Sequence, residues 1–171
     1  MKKLCDFALF QCAWYAAVAA AASGRVWIGP LAVALLLLAH LAWLDMRASE
    51  LARALLIGLA GGALDSALRA AGVLAYPAAA ESWPQALAPP WVPALWAAFA
   101  ALPRHSMAWL VPRPAAAALF GALGGPLSYW AGVRMGAVGI PHSAALTYAV
   151  LAAEYAIATP LVLRLASRRR S

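Results

Sequence analysis

Acidic residues are scarce in this chain: six Asp and Glu among 171 residues, against thirteen Lys and Arg. Charged residues of both signs make up 11% of it, where a soluble domain carries about 25%. With 65% hydrophobic residues and a mean hydropathy of +0.78, a disordered chain and a water-soluble fold are both excluded. No P-loop, HExxH, GxSxG or CxxC sequence occurs. The three histidines, His40, His105 and His142, fall in different apolar segments with no ligand spacing between any two. Covalent and metal-dependent catalysis therefore have no warrant in the residues, and no catalytic residue, cofactor or metal is expected. There are two cysteines, Cys5 and Cys12. On one helix their Cα atoms would stand about 10 Å apart, too far for a disulfide, so packing is their expected role.

What the chain does have is apolar runs near the roughly 20 residues that cross the hydrocarbon of a bilayer. Six are read: 4–22, 26–44, 50–71, 91–111, 115–134 and 142–165. The fold class expected is an all-α, polytopic membrane bundle forming one domain over residues 1–171, with no polar stretch long enough for a second. Glu50 suits a helix N-terminus. The longest loop, 72–90, holds Pro77, Pro84, Pro89 and Pro90, and Trp83 and Trp91 suit an interfacial belt. Pro103 interrupts the fourth run.

The excess positive charge points to a membrane surface and away from nucleic acid. An even number of spans puts both termini on one side. With that side cytoplasmic, Lys2, Lys3, Arg47, Arg53, Arg104, Arg113, Arg164, Arg168, Arg169 and Arg170 lie at or near it, and Arg25, Arg69 and Arg134 lie opposite. That split follows the positive-inside tendency and predicts a bacterial inner-membrane protein. The first run has some signal-peptide character, with Lys2-Lys3 before it and Ala20-Ala21-Ala22-Ser23 at its end. Asp6, Gln11, Trp14 and Tyr15 make a poor signal core, so an uncleaved anchor is favoured; cleavage would leave five spans in the same orientation.

Asp65 is the most informative residue. It lies in the outer third of the third run, with Arg69 one turn on. A carboxylate in hydrocarbon costs on the order of 3 kcal/mol or more, so it faces protein or a cavity rather than lipid. Gly58, Gly62, Asp65 and Arg69 share a helical face. Gly121, Gly125, Ser128 and Gly132 make a similar stripe on the fifth run, beside Tyr129. If the stripes meet, Asp65 comes near Ser128 and Tyr129, with Arg134 and His142 at the same outer level. One reading is a polar, outward-facing substrate pocket; the other is an Asp65–Arg69 pair with Arg134 reaching to the interface. The GxxxG faces serve packing within the chain, with homodimerisation as the alternative.

A second polar set lies toward the inner side: Asp6, Gln11, His40, Asp45, Arg104 and His105. Asp6 can pair with Arg104 there, or the fourth span simply ends near Pro103. Glu154, in the middle of the sixth run, is either a proton-relay member joining the two sets or a silent hydrogen-bonded acid.

Four segments in order, Gln11-x-x-Trp14, Gly61-Gly62-x-x-Asp65, Leu95-Trp96-x-x-Phe99 and Gly125-Pro126-Leu127-Ser128-Tyr129-Trp130-Ala131-Gly132, resemble a family of small proteobacterial inner-membrane proteins known only as a domain of unknown function. The resemblance covers nearly the whole chain. It implies a multi-pass membrane protein, no established activity, and a neighbourhood of fatty-acid-modifying enzymes. It adds Trp130 to Asp65, Ser128 and Tyr129 as site candidates. The functions expected are a small transporter or lipid-handling permease, or a non-catalytic accessory subunit that positions a lipid-modifying enzyme. At this size, transport would require a dimer.

Overall fold

The computed structural model describes residues 1–79 and 83–167, so Arg168, Arg169 and Arg170 lie outside the described residues. Among these residues the chain forms six α-helices and no strand: α1 Lys2–Ala22, α2 Ile28–Trp43, α3 Ala48–Ala70, α4 Trp91–Ala101, α5 Pro114–Met135 and α6 Ala144–Ser167. Three of them, α1, α3 and α6, are long and apolar enough to cross a membrane, and α2 is a shorter apolar helix. Large side chains line the outside of the bundle. Leu31, Leu35, Leu55, Leu59, Leu123 and Leu127 are all exposed, which is stable in hydrocarbon and not in water. This is the surface of a membrane protein.

The helix starts follow from local chemistry. The backbone N–H of Arg47 donates to Glu50 Oε2 at 2.8 Å, so the acid three residues into α3 caps its first turn. Gly136 ends α5 in the left-handed region, at φ 87°, where a side chain would be strained. Asp45 closes α2 with φ 57°, and Leu44 and Met46 both donate to the His40 carbonyl there.

The fourth span is shorter than the full 91–111 run and ends near Pro103, as the alternative reading of that run has it. Helix α4 ends at Ala101, about 16 Å long against the roughly 30 Å of hydrocarbon. A 3-10 turn, Leu102–Arg104, follows, and tight turns continue to the start of α5. Pro103 has no N–H to continue the ladder. Leu102, Met107 and Leu110 bury this non-helical segment against Ala117 and Leu163, so its backbone meets protein rather than lipid.

The two glycine stripes do not meet each other. Helix α3 packs on α4: a Cβ at Gly58 would press on the Pro93 carbonyl and Ala97, and one at Gly61 would run into the Trp96 ring. Helix α5 packs on α6: a Cβ at Gly121 or Gly125 would overlap Thr159 or Tyr155. Both GxxxG faces are therefore filled from within the chain. Two other expectations need correction. Cys5 and Cys12 lie exposed on α1 rather than packed. Trp91 is buried, edge-on to Tyr76 with ring centroids 5.7 Å apart, so only Trp83 of that pair keeps partial exposure.

Candidate functional site

Asp65 is completely buried in the bundle. Its carboxyl group receives three aromatic donors. Tyr76 O–H reaches Oδ1 at 3.0 Å, Trp96 Nε1–H reaches Oδ2 at 2.8 Å, and Tyr129 O–H also donates to Oδ1. The three come from the α3–α4 loop, α4 and α5 respectively. A carboxylate offers only acceptors, and these donors give both oxygens a partner without a cation. Burial without them would cost several kcal/mol.

Arg69 does not pair with Asp65. Its guanidinium donates to the carbonyls of Leu87 at 2.5 Å and Pro84 at 3.4 Å, and to Gln85 Oε1 at 2.9 Å. It also lies 5.5 Å from the Tyr76 ring centroid. Arg69 therefore pins the 84–87 loop over the end of α3 and reaches Asp65 only through Tyr76. The reason is geometric: the loop carbonyls have no helical partners, and a guanidinium with five donors fits a cluster of them.

The remaining outer candidates do not converge. Arg134, His142 and Trp130 are exposed. Ser128 accepts from Trp14 Nε1 at 3.0 Å and so bridges α5 to α1 rather than to Asp65. Tyr129 alone of the α5 set reaches the carboxylate. Sequence spacing points to neither Trp96 nor Tyr76, both essential to the cage. Trp96 belongs to the segment Leu95-Trp96-x-x-Phe99 of the family resemblance, but nothing in linear spacing aims it at residue 65.

The wall of the cage faces a cavity. Trp96 and Tyr129 both line an apolar cavity of about 500 Å³ enclosed by α1, α4, α5 and α6. Tyr155 also lines it, stacked on Trp96 with centroids 4.9 Å apart and edge-on to Tyr129 at 6.0 Å. Asp65 itself lies behind the rings and is not a lining residue. The volume falls in the range of small-molecule sites, roughly 300–1,000 Å³. Exposed Phe7, Trp109, Phe120 and Leu127 line it too, so it opens onto the outer flank of α1 and α5.

The inner set pairs differently from expectation. Asp6 bonds His40 Nε2 through Oδ1 at 2.7 Å and accepts the Ser106 N–H through Oδ2 at 2.8 Å. It does not meet Arg104, which instead donates to both oxygens of Glu50 at 2.6 Å and to the Leu44 carbonyl at 3.1 Å. Asp6 and His40 are wholly buried. His40 Nδ1 faces the Leu36 carbonyl at 2.8 Å, a group that can only accept, which assigns a hydrogen to Nδ1 as the donor of that bond. The His105 ring reaches the Leu44 carbonyl at 2.9 Å. Gln11 is exposed on α1 and lines the cavity. Asp45 lies at the surface, paired with Lys2, whose ammonium holds the Asp45 carboxyl below the usual carboxylate range.

Neither carboxyl oxygen of Glu154 has a hydrogen-bond partner, although both are buried. Among the described residues, no hydrogen-bonded path therefore links it to the outer or the inner set. Among the described residues, no three His, Cys, Asp or Glu side chains converge to hold a metal ion.

The fold and site together define a helical membrane protein with a carboxylate caged by aromatic donors at the wall of an apolar cavity. The chain belongs to the family described as Protein of unknown function (DUF2878), whose model matches residues 3–161. No curated protein and no solved structure matches it significantly.

Proposed function

We propose that this is a lipid-handling protein of the bacterial inner membrane, with both termini at the cytoplasmic face, that takes an apolar molecule from the bilayer into the aromatic cavity. The observation that carries this reading is the shared wall: Trp96 and Tyr129 hydrogen-bond Asp65 and also line the cavity. A carboxylate so expensive to bury is retained because it fixes two rings that line a binding space. Asp65 is thus a positioning residue and does not itself touch the ligand. The mouth on the α1–α5 flank opens where acyl tails surround the protein, and the lysines and arginines at the chain ends match the cytoplasmic leaflet. The protein extracted in mild detergent should carry bound lipid in native mass spectrometry, and Asp65→Asn should lose it while remaining folded. A wild-type protein that retains no lipid would leave the accessory role, positioning a lipid-modifying enzyme, as the better reading.

A further inference from the structure

The polar groups of the cavity wall divide into those the chain uses and those it leaves open. Trp96 and Tyr129 are committed to Asp65. The Ser106 and Thr159 hydroxyl oxygens are buried beyond the reach of an occupant. Two lining groups stay accessible. Gln11, on α1, is exposed at the open flank, and among the described residues its amide makes no hydrogen bond. Ser128, on α5, is half-buried. Its oxygen accepts from Trp14 Nε1 at 3.0 Å, and among the described residues its hydrogen has no acceptor.

Depth narrows what these groups can meet. By helical rise from Lys2, Gln11 lies about 14 Å along α1, and Trp14, which marks the Ser128 level, about 18 Å. With Lys2 at the inner edge, both fall in the middle third of roughly 30 Å of hydrocarbon. Acyl tails offer an amide no partner there, and leaving it bare costs free energy. A partner must carry its own polar atoms at the bilayer centre. Phospholipids and ionised fatty acids keep their charged ends at the interface, so the partner is a neutral lipid.

The chemistry of the wall narrows it further. The Gln11 N–H and Ser128 O–H groups are donors that match accepting oxygens, and the bond from Trp14 strengthens the Ser128 donor. Ten of the twenty-seven lining residues are aromatic, against 10% of the whole chain. Aromatic side chains pack edge-on or offset against another flat ring.

Resting on the lipid-handling reading, we propose that the molecule this cavity takes up is a membrane quinone, its ring among the aromatic side chains and its carbonyl oxygens accepting from the Gln11 amide and the Ser128 hydroxyl. A quinone is neutral, flat and rich in acceptors, and its apolar tail leaves through the flank into lipid.

The test compares the full chain in nanodiscs with empty nanodiscs for excess retention of three labelled compounds. These are a decyl-substituted benzoquinone, decylbenzene (the ring without oxygens) and decanol (an oxygen without the ring). The wild type should hold the quinone at least about tenfold more tightly than either of the others. Gln11→Leu, which breaks no hydrogen bond of the fold, should weaken the quinone about fivefold to tenfold and leave decylbenzene unchanged. If decylbenzene or decanol is held as well as the quinone, the quinone assignment fails while lipid handling stands. If the quinone is preferred but Gln11→Leu binds it as wild type does, its placement at Gln11 is overturned. If none of the three is retained, the lipid-handling reading itself fails.

Discussion

Trp96 and Asp65 are joined by a hydrogen bond of 2.8 Å across the α3–α4 contact, and the same indole ring stacks on Tyr155 in the cavity wall. The ring edge of Trp96 holds a buried acid, and its ring packs into the cavity wall beside Tyr155. Gly61 makes this possible, because any side chain there would occupy the volume of the Trp96 ring.

Asp65→Asn should destabilise the protein by roughly 2–3 kcal/mol, because an amide nitrogen replaces one acceptor among three donors. Asp65→Leu should cost more, leaving Tyr76, Trp96 and Tyr129 all unpaired. Thermal unfolding in detergent measures both, and an unchanged midpoint in either would show that the cage contributes nothing.

The glycines of α5 should respond in opposite directions. Gly125→Ala forces a methyl group into the Tyr155 ring and should cost about 1–3 kcal/mol by overpacking. Gly124→Ala should be neutral or stabilising by up to about 1 kcal/mol. Unfolding midpoints of the two variants decide the matter.

Breaking the Asp6–His40 pair should be severe. His40→Leu alone leaves Asp6 buried with only the Ser106 N–H, for a loss of roughly 3–5 kcal/mol. Asp6→Leu with His40→Leu should recover much of it, since two apolar residues leave no orphaned charge. A double variant as unstable as the single one would contradict this.

The Lys2–Asp45 pair predicts a small dependence on pH. Asp45 titrates below the ordinary carboxylate value of about 4 in the folded protein because of the adjacent Lys2 ammonium. Its contribution is therefore present at neutral pH and disappears as the pH falls through that lowered value. Wild type and Asp45→Asn should differ slightly in midpoint at pH 7 and converge in acid, and added salt should shrink the difference because the pair is exposed.

Five of the six helices were legible in the apolar runs, within two residues of their ends, because lipid imposes a length that composition reveals directly. The fourth run, 91–111, is too long as a helix, and its alternative reading, a span that ends near Pro103, is the one the structure bears out: Pro103 ends the ladder, Arg104, His105 and Ser106 interrupt the apolar run, and Leu102, Met107 and Leu110 are buried by protein. Asp65 stood out for the same reason the spans did, as an acid among Ala, Leu and Gly. Its partners did not. Tyr76 sits in a loop, and Trp96 reaches Asp65 only through the rotation and depth of a half-length helix, neither of which a periodic pattern encodes. Arg69, adjacent on its helical face, is the natural candidate partner and is drawn away by the loop carbonyls of Pro84 and Leu87 and the Gln85 side chain.

The most direct measurement of the central idea is photo-crosslinking with a fatty acid that carries a diazirine at the methyl end of its chain. If the cavity takes up the chain, adducts map by mass spectrometry to cavity residues shielded from the flank, such as Val18, Val92 and Trp96. Adducts confined to outward-facing leucines such as Leu35 and Leu59 would mean that lipid only surrounds the protein and that the space behind Trp96 and Tyr129 does not hold it.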